Sequence, residues 1–569
     1  MSAASDFPAT MDDAVDLLVI GAGAAGMTAA LIGTIEGLRV LLCEKTDQVG
    51  GTTSTSAGTV WIPGSTQSVR AGVPDDVTAA AGYLHSVIGD HSSNQMVGLR
   101  NAFLETGPRV IDYLEASTDV AFVAATAHPD YLGDHPGAAY SGRALVPVAF
   151  DGRSLGADFA RVRPPRPEFM VLGGMMVAKT DIPALLKPFA SLASLRHALG
   201  LLARHGMDRL RHRRGTRLVM GNALVGRLLR SLRRRDVPIA FDTRLVDLVV
   251  DSGRVVGAEI ESGIVRTRIN VRKGVVLATG GIAGNTMLRQ RLFPQAAQEY
   301  SLAPRSNTGD GIASAERAGA ALEGRPGRAG LWMPVSKLRQ PDGTEALFPH
   351  IVLDRAKPGL LAVNAGGQRF VNEADSYHAF VEGLLAGAGG GPAHLICDRS
   401  FIRDYGIGFV HPGARSLQPY LDAGYLIAAT SAAALAARIG VDPKAFAQTL
   451  ADYNRFAATG IDEAFGRGGS ELNRFNGDPA NRPNPCLRRI DVSALYAVAV
   501  WPADLASSTG LSIDSDSRVL RADGSAIDGL YACGNDAVSI FEGTYPGPGT
   551  TLGPALVFGW RAAMHAARR

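Results

Sequence analysis

Cysteine is scarce in this 569-residue chain: Cys43, Cys397, Cys486 and Cys533 are scattered, with no CxxC pair and no histidine at zinc-ligand spacing. Neither a disulfide framework nor a structural metal is expected. Long apolar runs are missing too, since no stretch reaches the roughly 18 uncharged apolar residues that an ordinary membrane-spanning helix needs. The N-terminus carries Asp6, Asp12, Asp13 and Asp16 without a basic or apolar segment, unlike a secretory leader. These absences predict a cytoplasmic protein. Charge of one sign is not in large excess, for 57 Lys and Arg against 54 Asp and Glu leave a net +3, and no basic run is interleaved with aromatics. Nucleic acid is therefore not an expected partner.

Glycine is what the chain has in surplus: 67 of 569 residues, against an average near ~7%. Many positions must turn sharply or approach a ligand closely, which points to a cofactor binder. The length exceeds what one core needs, so two domains are the default. Where the chain first becomes strongly apolar, Asp16–Ile20 reads as a buried parallel strand, followed by Gly21-Ala22-Gly23-Ala24-Ala25-Gly26 and a helical stretch up to Gly37. A second strand, Arg39 to Cys43, ends on Glu44. This is a βαβ dinucleotide unit: Gly21 permits the turn, Gly23 admits the pyrophosphate, Gly26 lets helix and strand touch, and Glu44 accepts from ribose hydroxyls.

Flavin is preferred over nicotinamide because a second Gly/Ser/Thr segment, Gly50-Gly51-Thr52-Thr53-Ser54, follows the first, as an isoalloxazine requires. Two later strands also run into glycine turns, Gly274 to Gly281 and Gly529 to Asp536, the latter ending in an acid suited to ribitol hydroxyls. The three together resemble the FAD-binding domain of the fumarate reductase and succinate dehydrogenase flavoprotein superfamily. That resemblance implies a doubly wound, Rossmann-like α/β domain interrupted by an α+β cap. It assigns Ala24, Ala25, Lys45, Val246, Ala278, Thr279, Gly280, Gly534, Asn535, Asp536, Thr551 and Leu552 to the flavin site as well. Asn307-Thr308-Gly309-Asp310-Gly311 resembles the turn that starts a helix near the isoalloxazine, with Asn307 and Asp310 as contacts; a plain N-capping turn is the alternative. No histidine lies near Gly50–Ser54, so FAD is expected to be non-covalent. Leu552 and Gly553 would open a C-terminal helix whose dipole favours reduced flavin.

Within that superfamily the site decides the reaction. Tyr377 stands where fumarate reductases place a proton-donating arginine after Arg369-Phe370-Val371-Asn372-Glu373, and Thr551 stands where a second arginine would hold a dicarboxylate. A dicarboxylate substrate is not expected. Pro129-Asp130-Tyr131 with the run to Arg143, the Arg369–Tyr377 segment, and Thr544-Tyr545-Pro546-Gly547-Pro548-Gly549 instead resemble the 3-ketosteroid Δ1-dehydrogenase family. The resemblance implies that Tyr377 takes a proton from C2, that Tyr131 eases its ionisation, that Tyr545 and the Gly549 N–H hold the C3 carbonyl, and that flavin N5 accepts hydride from C1. Those residue types suit the chemistry: a C–H beside a ketone becomes acidic when preorganised donors meet the enolate oxygen, each worth about 3–4 kcal/mol. A phenol of pKa about 10 needs help to act as a base at neutral pH. A lone tyrosine reads as readily as a core residue, and His378 is an alternative base.

The FAD-binding domain is expected over 1–324 and again over 507–569, with the cap over 325–506 contributing Tyr377. One segment departs from the family: residues 181–236 carry 13 Lys and Arg against 3 Asp and Glu. Asp181 and Pro183 read as a helix start, and Leu185, Phe189, Leu192, Leu195, Leu199 and Leu202 recur at helical spacing. Such a basic amphipathic helix suits peripheral contact with an anionic membrane; a subunit interface or a solvated hairpin is the alternative. A quinone-like external electron acceptor is implied. Two rival functions stay open, a sister enzyme acting on another cyclic ketone and a flavin protein without turnover.

Overall fold

In the computed structural model, which describes residues 15–178, 180–351, 354–387 and 391–569, two sheets supply the wall of one large cavity. The acidic residues Asp6, Asp12 and Asp13 lie outside the described part. The first sheet is built on β1 (Val15–Ile20), which is buried almost throughout because parallel neighbours flank it and helices cover it. On one side Leu17 and Ile20 register with Val40 and Cys43 of β2 (Val40–Cys43). On the other they register with Gly274 and Leu277 of β3 (Val265–Leu277).

Outer parallel strands extend the sheet, Ile239–Ala240 beyond β2 and β4 (Ala526–Ala532) beyond β3, and the antiparallel strands Thr243–Asp251, Arg254–Ser262 and Arg518–Leu520 add to it, so the two ends of the chain share one sheet. The turn after β1 closes at Gly21, φ 103°, where a Cβ would stand 2.2 Å from the Ala278 carbonyl oxygen. α1 (Ala24–Ile35) then packs on the C-terminal helix Leu552–Arg568. The architecture is the expected α/β flavoprotein fold with a second, cap sheet.

That second sheet is centred on Leu495–Ser507, flanked antiparallel by Gly330–Arg339 and Ala393–Asp398, with Glu345–Pro349 and Leu360–Val363 outside them. It does not begin at residue 325. Tyr300–Ser301 joins it parallel to Ala503–Asp504, because Asp504 is wholly buried and finds its partners in Arg289 and the Ser301 hydroxyl at 3.0 Å.

The segment 181–236 is not one basic amphipathic unit. Proline divides its first part: a short helix Ile182–Leu186 stops before Pro188, and a new helix, Leu192–Arg209, starts at an N-capping Ser191. The carboxylate of Asp181, in place of capping its own helix, binds Ala178 N–H, His197 and Arg217. The last part, Met220–Arg233, is a core helix with Leu224, Leu228, Leu229 and Leu232 fully buried. Its arginines face protein, Arg233 on Asp158, Arg230 and Arg234 on Asp119, and Arg227 on main-chain carbonyls. Only the Leu192–Arg209 helix and its flanks are peripheral.

Candidate active site

The dinucleotide cradle forms where β1 hands over to α1. Gly23 precedes the helix with nothing within 4 Å of where a Cβ would stand, leaving the first turn of α1 facing open space. Orphan N–H groups and the helix dipole suit a pyrophosphate there. At the end of β2 Glu44 is fixed by Ala22 N–H at 2.9 Å and Thr46 N–H at 2.9 Å, with its carboxylate on the cavity wall. Gly21, Ala24, Ala25, Gly51, Thr52, Thr53, Ala278, Thr279, Gly280, Gly534, Asn535, Thr551 and Leu552 line the same wall. Asn307 does too, donating to Thr52 Oγ1 and the Gly280 carbonyl. The helix Asp310–Arg317 starts at the anticipated turn, and Lys45 bridges from β2 to Asp310 at 2.8 Å.

Five anticipated contacts are not on that wall. Asp536, fully buried, spends its oxygens on Thr279 N–H and Oγ1 and on Gly281 N–H, bracing the turn after β3 in place of meeting ribitol. Gly26 sits under the Gly21 carbonyl, where a Cβ would lie 1.9 Å away. Gly50 turns against Ser54, and both face inward. Val246 alternates out of a strand that presents Thr243 and Leu245 to the cavity.

At the other end of the cavity the three tyrosines meet. Ring centroids lie 5.6 Å apart for Tyr131 and Tyr377, 5.3 Å for Tyr377 and Tyr545, and 5.7 Å for Tyr131 and Tyr545. Each comes from a different element. Tyr377 is the first residue of the helix Tyr377–Gly387, behind Ser376, whose hydroxyl accepts from Ala379 N–H. The strand-like approach to it is anchored by a buried ion cluster in which Arg369 binds both Glu373 and Asp462 and Arg467 binds Glu373. Burial alone would raise the Glu373 carboxyl, but the two guanidinium groups hold it at about 2.

Tyr131 is set by its N–H on the Pro546 carbonyl at 2.8 Å, and Tyr83 Oη donates to that carbonyl at 2.6 Å. The preceding Asp130 is locked by Arg143 and by Trp61 Nε1. Gly549, φ 94°, tolerates no side chain, since a Cβ would lie 2.4 Å from the Thr59 carbonyl oxygen. Among the described residues no acceptor takes its N–H.

Burial pushes the Tyr377 phenol well above its ordinary range, and its hydrogen bonds to Tyr545 and Tyr131 push the same way. Burial raises the Tyr131 phenol as well, with the nearby Tyr545 pushing the same way and Tyr377 and Arg355 pulling it down. His378 is excluded as the base. Its Nδ1 accepts from Trp332 N–H at 3.1 Å and its Nε2 meets the Gly543 carbonyl at 3.0 Å, so both nitrogens are spent tying the strand Gly330–Arg339 to the turn before Tyr545.

The model of the FAD-binding-domain family matches residues 16–552. The chain belongs to this flavoprotein family. Among relatives of this flavoenzyme, the 4-oxocyclohex-2-ene-1-carboxylate 5-dehydrogenase of Sinomonas cyclohexanicum is 37% identical over 98% of this chain and 94% of its own. The 3-oxosteroid 1-dehydrogenase of Mycobacterium tuberculosis is 35% identical over 97% and 98%. The crystal structure of 3-ketosteroid Δ1-dehydrogenase from Sterolibacterium denitrificans, solved with 1,4-androstadiene-3,17-dione, superposes with a TM-score of 0.89 at 32% identity, covering 97% and 99% of the two chains. The enzyme is an FAD-dependent oxidoreductase of the 3-ketosteroid dehydrogenase family.

Sequence reading missed the cavity's apolar wall between the sheets, where Met333, Phe348, Ile351 and Phe475 stand near the tyrosines. No motif marks such residues, because any large apolar side chain serves there.

Proposed function

We propose that the enzyme desaturates the C1–C2 bond of a 3-ketosteroid. The observation that carries this reading is the convergence of Tyr131, Tyr377, Tyr545 and Gly549 at the apolar end of a cavity that also contains the dinucleotide cradle. Tyr377 Oη takes the proton from C2 once the Tyr131–Tyr377 pair has lost a proton. The Tyr545 hydroxyl and the Gly549 N–H meet the C3 oxygen as negative charge develops on it, which is what makes the C2–H acidic. FAD, which Gly21, Gly23, Glu44, Thr52 and Thr279 would hold, would supply the two-electron oxidant for C1–H, with an external, quinone-like acceptor taking the electrons onward.

A second reading, a cyclic ketone bearing a carboxylate, is favoured by the 37% identity to the Sinomonas enzyme. Such a substrate needs a cation on the wall near the tyrosines; Arg163, which donates to Thr46 Oγ1, stands beside Glu44 at the dinucleotide end, and three other wall cations are engaged. Arg166 is spent on Glu168 and on the Leu302 and Leu347 carbonyls, Arg217 on Asp181, and Lys45 on Asp310. A neutral, apolar ketone fits better. Anaerobic mixing of the holoenzyme with a panel of 3-ketosteroids and with 4-oxocyclohexanecarboxylate distinguishes them: ketosteroids should bleach the flavin. Bleaching by the carboxylate alone would overturn the steroid assignment.

We propose further that the enzyme works against an anionic membrane surface. Phe189, Leu192 and Leu210 are 87%, 73% and 85% exposed beside the exposed Leu199, Leu202 and Met207. Arg196, Arg209, Arg211 and Arg213 lie exposed in the same stretch, while its one acid, Asp208, is buried against Thr216. Apolar side chains ringed by uncompensated positive charge suit a lipid interface. Ile182, from the same segment, belongs to the cavity wall.

A further inference from the structure

We propose that Arg355 is the positioning residue of the Tyr131–Tyr377 pair: a fixed, buried positive charge that clamps the turn carrying Tyr377 and favours loss of a proton from the pair. The inference deepens the dehydrogenase reading, since it assumes that this pair is the base. The Arg355 side chain is among the most deeply buried in the molecule. Its Nε donates to the His350 carbonyl at 2.7 Å. Its Nη1 donates to Glu373 at 2.9 Å and Asp375 at 3.3 Å, and its Nη2 to Ile351 at 3.0 Å and Asp375 at 3.3 Å. All five bonds thus end on main-chain carbonyls, three of them on Glu373 and Asp375 in the turn that leads into Tyr377. The guanidinium carbon also lies 4.9 Å from the ring of Phe380, one turn further along that helix.

Among the described residues no carboxylate pairs with the guanidinium. Asp354 spends its oxygens on His350, the Gly408 N–H and the Arg355 main-chain N–H, and Asp375 binds Asn473. Burial and the nearby Asp134 and Glu373 raise the Asp375 carboxyl to about 6, despite Asn473 and Arg355. Arg467 and Glu373 complete the charged groups around Arg355, and Glu373 is already paired. Facing the tyrosine pair from the other side are Tyr545 and His128, neither of which supplies a fixed cation. Arg355 lowers the Tyr131 phenol against the larger, upward effect of burial. Burial pulls the Arg355 guanidinium down to about 10 against the opposing Asp354 and Asp375, which leaves it charged at neutral pH, and its planar fork fixes several carbonyls at once.

The test uses Arg355→Met and Arg355→Lys holoenzymes and any cyclic ketone that bleaches the wild-type flavin, with flavin reduction followed anaerobically from about pH 6 to pH 10. Wild-type rate should rise with pH as the pair deprotonates. In Arg355→Met the rise should move to higher pH by at least about one unit, a tenfold loss at neutral pH. Lysine, keeping the charge but not the fork, should lower the plateau several-fold with the pH profile unmoved. Equal losses in both variants on an unmoved profile would reduce Arg355 to scaffold and overturn the proposal. Should the Met variant fail to retain flavin, the Lys variant still decides, since a shift of a full unit there overturns the charge argument. Wild-type flavin that no ketone bleaches would remove the base assignment itself, an outcome visible before any variant is made.

Discussion

At the scale of single residues, the roles of Tyr377 and Tyr545 separate cleanly because phenylalanine removes one hydroxyl and keeps the ring contacts at 5.3–5.7 Å. Tyr377→Phe should nearly abolish flavin reduction by a 3-ketosteroid while leaving binding intact, since a base acts in the transition state. Tyr545→Phe should slow reduction roughly 10²–10³-fold, the scale of one lost oxyanion donor, and weaken binding somewhat, with Gly549 N–H still in place. Rapid-mixing absorbance gives the rate and ligand titration gives the affinity. If Tyr377→Phe kept more than about a tenth of the rate, a loss under ~1.4 kcal/mol, the base would lie elsewhere. The three tyrosines and Gly549 were legible in the sequence through the resemblance of three short motifs to the 3-ketosteroid Δ1-dehydrogenase family, and the structure brings the tyrosine rings within 5.3–5.7 Å of one another. Asp536 was misread for a physical reason: an acid after a glycine turn serves equally as a ligand or as a brace for the neighbouring N–H groups, and only burial tells which. Arg355 carried no signal at all, since a lone arginine outside any motif reads as surface.

At the scale of elements, β1, α1 and β2 followed from pattern alone, because buried parallel strands and a glycine turn leave little freedom. The basic segment did not. Its leucines recur at helical spacing in both halves, yet Met220–Arg233 buries them against α1, whereas Leu192–Arg209 buries Ala198, Leu201 and His205 and turns Leu192, Leu199 and Leu202 outward. Periodicity shows that a stripe exists and not what covers it. If lipid covers the outer one, the enzyme should co-sediment with vesicles containing phosphatidylserine, and less with neutral vesicles. Detachment should follow as salt shortens the Debye length below ~8 Å. Leu199→Glu with Leu210→Glu should abolish sedimentation while leaving flavin reduction unchanged, because neither residue lies on the cavity wall. Equal sedimentation with neutral and anionic vesicles would remove the electrostatic part of the proposal.

At the scale of the whole molecule, a boundary at residue 325 places a buried charge on the wrong side of its partner. Asp504 lies in the central strand of the second sheet, while Arg289 and Ser301, which satisfy it, precede the boundary. The same line is crossed by the pairing of Tyr300 with Ala503, and the second boundary, at 506/507, by the bond between His378 and the Gly543 carbonyl. A buried ion pair that loses one partner costs about 3–5 kcal/mol, a large part of the 5–15 kcal/mol that holds an ordinary domain folded. The two sheets should therefore unfold together. Scanning calorimetry of the holoenzyme should show a single transition, and a fragment of 325–506 should not fold alone. Because no histidine stands in Gly50–Ser54, flavin should be removable by mild acid, and adding FAD back should raise the transition temperature with concentration. The gain should approach ~2.7 kcal/mol at a hundredfold excess over the dissociation constant. A ketosteroid product, spanning Tyr377 at the start of its helix and Gly549 from the chain's C-terminal part, should raise the same transition further. Two resolved transitions, with only one responding to FAD, would show that the cap is an independent unit and that Arg289–Asp504 joins two bodies without coupling their unfolding.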